Sequence, residues 1–154
     1  MQGNIFVISA ASGTGKTTLI ARLLQHHSDI RVSVSHTTRA PREGERHGEH
    51  YYFVGTAEFE EMVDAGGFLE HANVFGNYYG TSLAGLKALQ NEGFDVILEI
   101  DVQGAQQVRR ALPEAVGIFI LPPSFAELAE RLRGRGTDTP EVVEKRLRQA
   151  RGEI

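Results

Sequence analysis

The segment Ser9-Ala10-Ala11-Ser12-Gly13-Thr14-Gly15-Lys16-Thr17-Thr18 brings together the residue types that hold a chain of phosphates. Gly13 and Gly15 allow a tight turn whose N–H groups point inward, and Lys16 supplies a point charge for the β- and γ-phosphates. The Thr17 hydroxyl suits the Mg²⁺ that accompanies such a ligand. Ala10 stands where the G-x-x-x-x-G-K-[ST] pattern has its first glycine, and alanine fits there if its φ is negative. The bland alternative is a glycine-rich turn with a chance lysine. An apolar run before the loop and helical spacing after it favour nucleoside triphosphate binding, but leave the reaction open.

A second anion site is suggested by Thr37-Thr38-Arg39-Ala40-Pro41-Arg42-Glu43-Gly44-Glu45. Arginine forks grip phosphate oxygens in pairs, so Arg39 and Arg42 on one turn could clamp a monophosphate. Tyr51 and Tyr79 carry hydroxyls that could complete the clamp, although tyrosines in strands usually only pack. Glu45 could hold the arginines in orientation. A guanine base presents N–H donors and calls for a carboxylate acceptor, for which Glu70 and Asp101 are of the right type. Asp101 follows a buried strand, where a carboxylate is costly unless paired or used. Ser35 and Thr81 could add hydroxyl contacts.

Other polar clusters read more plainly. Arg131, Arg133, Arg135, Lys145, Arg146, Arg148 and Arg151 are interleaved with Glu127, Glu130, Asp138, Glu141 and Glu144, which by composition is a solvated helical face. His47 and His50 share a glycine-bearing loop without the framework of a metal site. His26-His27 suits the end of a helix, where positive charge meets the dipole.

These groups need a scaffold, and the chain spells one. Ile5-Phe6-Val7-Ile8, Val96-Ile97-Leu98-Glu99-Ile100 and Val116-Gly117-Ile118-Phe119-Ile120-Leu121 are short apolar runs expected of strands buried on both faces. Leu19, Ile20, Leu23 and Leu24 follow the loop at helical spacing. Ser124 with Glu127 predicts a capping box, and Thr139-Pro140 predicts the start of a last helix packed through Val142, Val143 and Leu147. The stretch from about Ser35 to Asn77 differs: its glycines and short alternating segments such as Tyr51-Tyr52-Phe53-Val54 predict hairpins and one short helix after Thr56. The expected fold is α/β, with a parallel sheet flanked by helices and a small inserted lobe.

Composition agrees with a single globular unit of 154 residues, 41% hydrophobic and 23% charged, and argues against collagenous or disordered chains. The absence of cysteine excludes disulfides, thiolate metal sites and cysteine nucleophiles. A net charge of −4 points away from bulk nucleic-acid binding. No apolar run reaches the ~20 residues needed to span a bilayer, and no secretory signal is evident, so a cytoplasmic location is expected.

Taken together, the residues resemble the guanylate kinase family, most closely its bacterial members. Thr37-Thr38-Arg39-x-x-Arg42-x-x-Glu45-x-x-Gly48-x-x-Tyr51-x-Phe53 matches the family signature at every fixed position. Gly76-Asn77-Tyr78-Tyr79-Gly80-Thr81, Asp101-Val102-Gln103-Gly104, Ile120-Leu121-Pro122-Pro123-Ser124 and Gly134-Arg135-Gly136-Thr137 resemble further family motifs. The resemblance implies a P-loop NTPase-type core over 1–34 and 82–154, a GMP-binding lobe over 35–81 and a helical lid near 131–147. It implies that Ala10, Ala11, Ser12, Gly13, Thr14, Gly15, Lys16, Thr17 and Thr18, with Arg131 and Arg135, bind ATP, and that Thr17 meets Mg²⁺. It assigns Ser35, Glu70, Thr81 and Asp101 to guanine, and Arg39, Arg42, Tyr51 and Tyr79 to the GMP phosphate, supported by Glu45. Lys16, Arg135 and Arg146 become the catalytic cations, Arg146 also meeting GMP. Family members continue past Ile154 into a further core strand and closing helix, so those are expected to be absent here, with part of the adenine pocket.

The implied reaction is reversible: MgATP and GMP (or dGMP) give ADP and GDP, as in purine nucleotide metabolism and GMP recycling. Positioning and charge neutralisation would carry it, without a general base. One rival reading is an inactive interaction module on the same fold, which tends to lose the phosphate loop or the lid arginines, whereas Lys16, Thr17, Arg135 and Arg146 are present. Another is a P-loop kinase for a different monophosphate; Glu70 and Asp101 argue against AMP. Oligomeric state is not legible in the sequence.

Overall fold

The computed structural model describes residues 2–10, 15–121, 126 and 130. Of the helix expected to open at Ser124, Ala126 and Glu130 are described and both are helical; the helix expected to open at Thr139 lies outside the described residues, as do Ala11, Ser12, Gly13, Thr14, Arg131, Arg135 and Arg146.

Two sheets organise the described chain. The first contains β1 (Ile5–Ala10), β2 (Ile30–Val32), β7 (Asp95–Glu99) and β8 (Val116–Ile120), in the order β2-β7-β1-β8 and parallel throughout. Helices α1 (Lys16–His26), α3 (Leu83–Asn91) and α4 (Val102–Ala111) belong to the connections between these strands. The second sheet contains β3 (His36–Thr37), β4 (Tyr52–Phe53), β5 (Phe68–Val74) and β6 (Asn77–Ser82), in the order β4-β3-β6-β5, with helix α2 (Thr56–Asp64) between β4 and β5.

The alternation of side chains along a strand explains how the first sheet is sandwiched. Val96 and Leu98 point to one face with Ile5, Val7, Leu86, Ile100 and Val108, and so bury α3 and α4. Ile97 points to the other with Ile8 and Ile20, where Leu23 and Leu24 of α1 pack. Leu19 lies off this contact and is 54% exposed, unlike its neighbours in the expected apolar set. β8 also departs from expectation. It pairs only with β1 among the described strands, and Val116, Ile118 and Phe119 are exposed where a strand buried on both faces was expected. An apolar run tells strand from loop, but not edge from centre.

The lobe has its own small aromatic core. Phe59 from α2 stacks between Phe68 and Tyr78, with ring centroids 4.6 Å and 5.3 Å away. β5 and β6 form an antiparallel hairpin, whereas β3 and β4 are parallel, so only part of this region is the hairpin its alternation suggests. The chain leaves β6 through Ser82, whose side chain caps α3 by accepting from the Gly85 N–H.

Candidate active site

The carboxyl ends of parallel strands are where α/β sheets bind ligands, and here the chemistry-bearing residues gather there. β1 ends at Ala10, and α1 starts again at Lys16 with Gly15 as its N-cap at φ 88°. That left-handed conformation suits glycine and turns the chain sharply into the helix. Ala10 itself lies in the strand, away from the positive-φ region, so the missing first glycine is no obstacle. From the next strand, Glu99 accepts the Thr17 hydroxyl at 2.8 Å. Lys16 reaches toward the Ile100 carbonyl at 3.5 Å. Thr18 is exposed in the first turn of α1.

Between this end of the core and the lobe lies a cavity of about 250 Å³. Its walls include Lys16, Ser35, Arg39, Arg42, Tyr51, Glu70, Tyr79, Glu99 and Asp101. Most residues picked out from their types alone thus converge on one space, although they come from six separate segments. Val74, Phe75 and Ile100 also line it and were not picked out. Phe75 holds φ 52° beside Gly76 at 87°, a two-residue turn with both φ positive that reverses β5 into β6. A Val-Phe-Gly-Asn sequence hides that role, because an aromatic is not the usual occupant of such a position.

On the anion side, Arg39 and Glu45 meet fork to fork at 3.0 and 2.9 Å. One Glu45 oxygen also accepts the Arg42 backbone N–H at 2.7 Å, so a single carboxylate shapes the turn and aims the first guanidinium. Arg39 lies 5.3 Å over the Tyr51 ring, and Tyr51 packs against Tyr79 at 5.9 Å. The Arg39 hydrogen bond holds the Glu45 carboxyl below its ordinary range, while Glu45 raises Arg39 further above neutrality. Burial pushes the Tyr51 phenol up, keeping it a neutral donor.

Also lining this cavity, Glu70 is 4% exposed and accepts the Thr81 hydroxyl at 2.6 Å. Burial, opposed by that hydrogen bond and reinforced by the Asp101 charge, raises its pKa to about 7. Such a carboxylate is poised to accept donors from a ligand, which would replace the water it has lost. Asp101 N-caps α4, its side chain accepting from Gly104 N–H at 2.9 Å. This is the pairing that a polar residue after a buried strand requires. The expected roles of His26, His47 and His50 are ordinary: His26 closes α1, and the other two accept backbone N–H groups within their loop. Among the described residues, no cluster of His, Asp and Glu could by itself hold a metal, and no helix is long and apolar enough to cross a membrane.

Comparison with known proteins spans nearly the whole chain. The family model for guanylate kinase matches residues 2–154. The chain is 69% identical over 153 residues to the guanylate kinase of Neisseria gonorrhoeae, covering 99% of this chain and 75% of that one. It is 56% identical over 155 residues to the guanylate kinase of Escherichia coli strain K12, with the same coverage. The crystal structure of guanylate kinase from Anaplasma phagocytophilum superposes with a TM-score of 0.74 at 36% identity, covering 99% of this chain and 86% of that one. A parallel sheet with Lys16 and Thr17 at its carboxyl end, an inserted four-stranded lobe and a relative this similar lead to one assignment: the chain belongs to the guanylate kinase family.

Proposed function

We propose that this chain catalyses phosphoryl transfer from ATP to GMP, giving ADP and GDP, with the cavity between core and lobe as the acceptor site. The carrying observation is the pairing of chemistries in one cavity: arginines and tyrosines share its lining with a buried carboxylate. Such a lining fits the two ends of a purine monophosphate that has N–H donors on its base.

In this reading 35–81 is the acceptor lobe and the core holds the donor. Arg39, Arg42, Tyr51 and Tyr79 grip the GMP phosphate, with Glu45 holding Arg39. Arg39 gives its fork to Glu45, so it meets phosphate through its remaining N–H groups, and Arg42 supplies the freer cation. Glu70 and Asp101 accept from the guanine ring, with Ser35 beside them in the cavity wall and the buried Thr81 holding Glu70 from behind. Lys16, at the start of α1, neutralises charge on the transferring group. A phosphate oxygen of GMP is already a competent nucleophile at neutral pH: it forms the new bond to the γ-phosphorus as the bond to the ADP oxygen breaks. Positioning and fixed charge therefore supply the catalysis, and closing the lobe on the core excludes water as a competing acceptor.

The donor set at the end of β1 and β7 suits Mg²⁺. Thr17 and Glu99 offer hard oxygen ligands 2.8 Å apart, and magnesium takes most of its remaining ligands from water and phosphate. Mg²⁺ bound there with ATP would supply charge neutralisation for the transferring phosphates. Arg131, Arg135 and Arg146, assigned to the lid by resemblance, complete the proposed charge set from outside the described residues. The cytoplasmic nucleotide pool is the proposed source of both substrates.

A Lys16→Met variant tests the division between donor and acceptor sites. It should lose turnover by about a hundredfold or more and retain GMP binding by titration calorimetry. Loss of both would contradict the assignment of Lys16 to the donor side.

A further inference from the structure

Glu70 reaches the cavity from β5 of the lobe, where Thr81 of β6 donates to one of its oxygens at 2.6 Å, and its other oxygen is held by the core helix α4. The Glu70 carboxylate packs on the first turn of that helix, directly over Gly104. A Cβ built on Gly104 would lie 2.5 Å from Glu70 Oε2 and 3.3 Å from Asp101 Oδ1. Gly104 is buried and helical, with an N–H that binds Asp101 Oδ1 at 2.9 Å. It has no positive φ to explain the choice of glycine. The space above its Cα is the explanation, and that space is filled by the carboxylate.

One turn further along the same face stands Gln107. Its amide makes a matched pair of hydrogen bonds with the backbone of His71: His71 N–H donates to Gln107 Oε1 at 3.1 Å, and Gln107 Nε2 donates to the His71 carbonyl at 2.6 Å. β5 is the edge of its sheet among the described strands, so this side chain does for that edge what a neighbouring strand would do. It pins the backbone at the residue directly after Glu70.

We propose that Gly104 and Gln107 are specificity-determining positioning residues, which together hold the Glu70 carboxylate at the depth and angle that select a guanine base. The proposal rests on the reading of Glu70 as the base acceptor given above. Gly104 sets the spacing between the Glu70 and Asp101 carboxylates. Gln107 locks the strand that carries one of them to the helix that is capped by the other. The core thereby dictates base selection in a side chain that the lobe supplies.

The test compares Gly104→Ala, Gln107→Ala and Glu70→Gln with the parent chain. KM and kcat are measured for GMP and for inosine monophosphate, which lacks the exocyclic amine, together with KM for ATP and the thermal midpoint. Gly104→Ala and Gln107→Ala should each raise KM for GMP about tenfold and shrink the preference for GMP over inosine monophosphate. KM for ATP should stay at the parent value. Gln107→Glu, which keeps only the acceptor of the pair, should fall between parent and Gln107→Ala. If Glu70→Gln loses base preference while Gly104→Ala and Gln107→Ala keep it, the positioning proposal is overturned and the reading of Glu70 stands. If Glu70→Gln itself keeps full preference, the reading of Glu70 fails and the proposal falls with it. A uniform rise in both KM values with a lowered thermal midpoint would mark a merely structural role and also overturn it.

Discussion

Glu45 closes on Arg39 with both carboxylate oxygens, at 3.0 and 2.9 Å, and spends one of the same oxygens on the Arg42 backbone N–H at 2.7 Å. The pair is mostly shielded, with side-chain exposures of 12% and 19%. A lone arginine on a turn samples many rotamers; this one is held before any ligand arrives, so less ordering remains to be done on binding.

Replacing Glu45 by Gln removes that preorganisation without removing a phosphate ligand. KM for GMP should rise about tenfold while kcat at saturating GMP changes less. Steady-state kinetics at fixed saturating ATP checks it. The pair also carries a pH signature. Glu45 has a lowered pKa, so its stabilisation is present above the unfolded carboxylate range and is lost as pH falls through the lowered folded value. Acid should therefore loosen this turn, and the Glu45→Gln variant should lose that component of the pH dependence.

Glu70 behaves in the opposite sense. Its pKa is raised from 4.5 to about 7 by burial above all. Between those values the unfolded chain has released a proton that the folded chain keeps, so stability falls as pH rises across this window. Glu70→Gln keeps an acceptor for Thr81 without the buried charge, and should stabilise the unliganded protein by about 3 kcal/mol at pH 8, with the gain vanishing below pH 4. Thermal or urea unfolding at the two pH values measures it. The same group makes KM for GMP climb as pH drops below about 7, because only the ionised form accepts both guanine donors. The variant is expected to lose that pH dependence along with its affinity, a trade of function for stability.

Thr17 and Glu99 offer a separate test. Thr17→Ala removes one of the two oxygens facing each other at 2.8 Å. The Mg²⁺ concentration for half-maximal rate should rise several-fold, with KM for GMP near the parent value. A magnesium titration of initial rates reads both.

Much of this was legible in the residues. The expectation of a phosphate loop rests on local chemistry, glycines, lysine and threonine in one contiguous stretch, and of these Gly15 holds the left-handed φ of 88° that favours glycine. The strand at Val96 was legible because a buried parallel strand has no polar face. Edge position was not, and β8 shows why. Val116, Ile118 and Phe119 look as apolar as Val96, Ile97 and Leu98, yet among the described strands the first three lie at the end of the sheet and are exposed while the others lie inside it and are buried. In the site, residue type identified Arg39, Arg42, Glu70 and Asp101 as candidates. Their convergence is a property of two sheets meeting, which spacing along the chain does not encode. Gly104 was legible only as part of the Asp101-Val102-Gln103-Gly104 motif, without a role, and Gln107 not at all, for a related reason. A glycine in the first turn of a helix and a glutamine on its flank carry no chemistry of their own, and their meaning lies entirely in what packs against them.

The most direct measurement is coupled ADP release with MgATP and, in parallel, GMP, dGMP, AMP, UMP or no acceptor. Release that requires GMP or dGMP and stays near background with the others is the expected result. Release driven by AMP would contradict the assignment of Glu70 and Asp101 to the base. No release with any acceptor would contradict the proposed phosphoryl transfer for this chain.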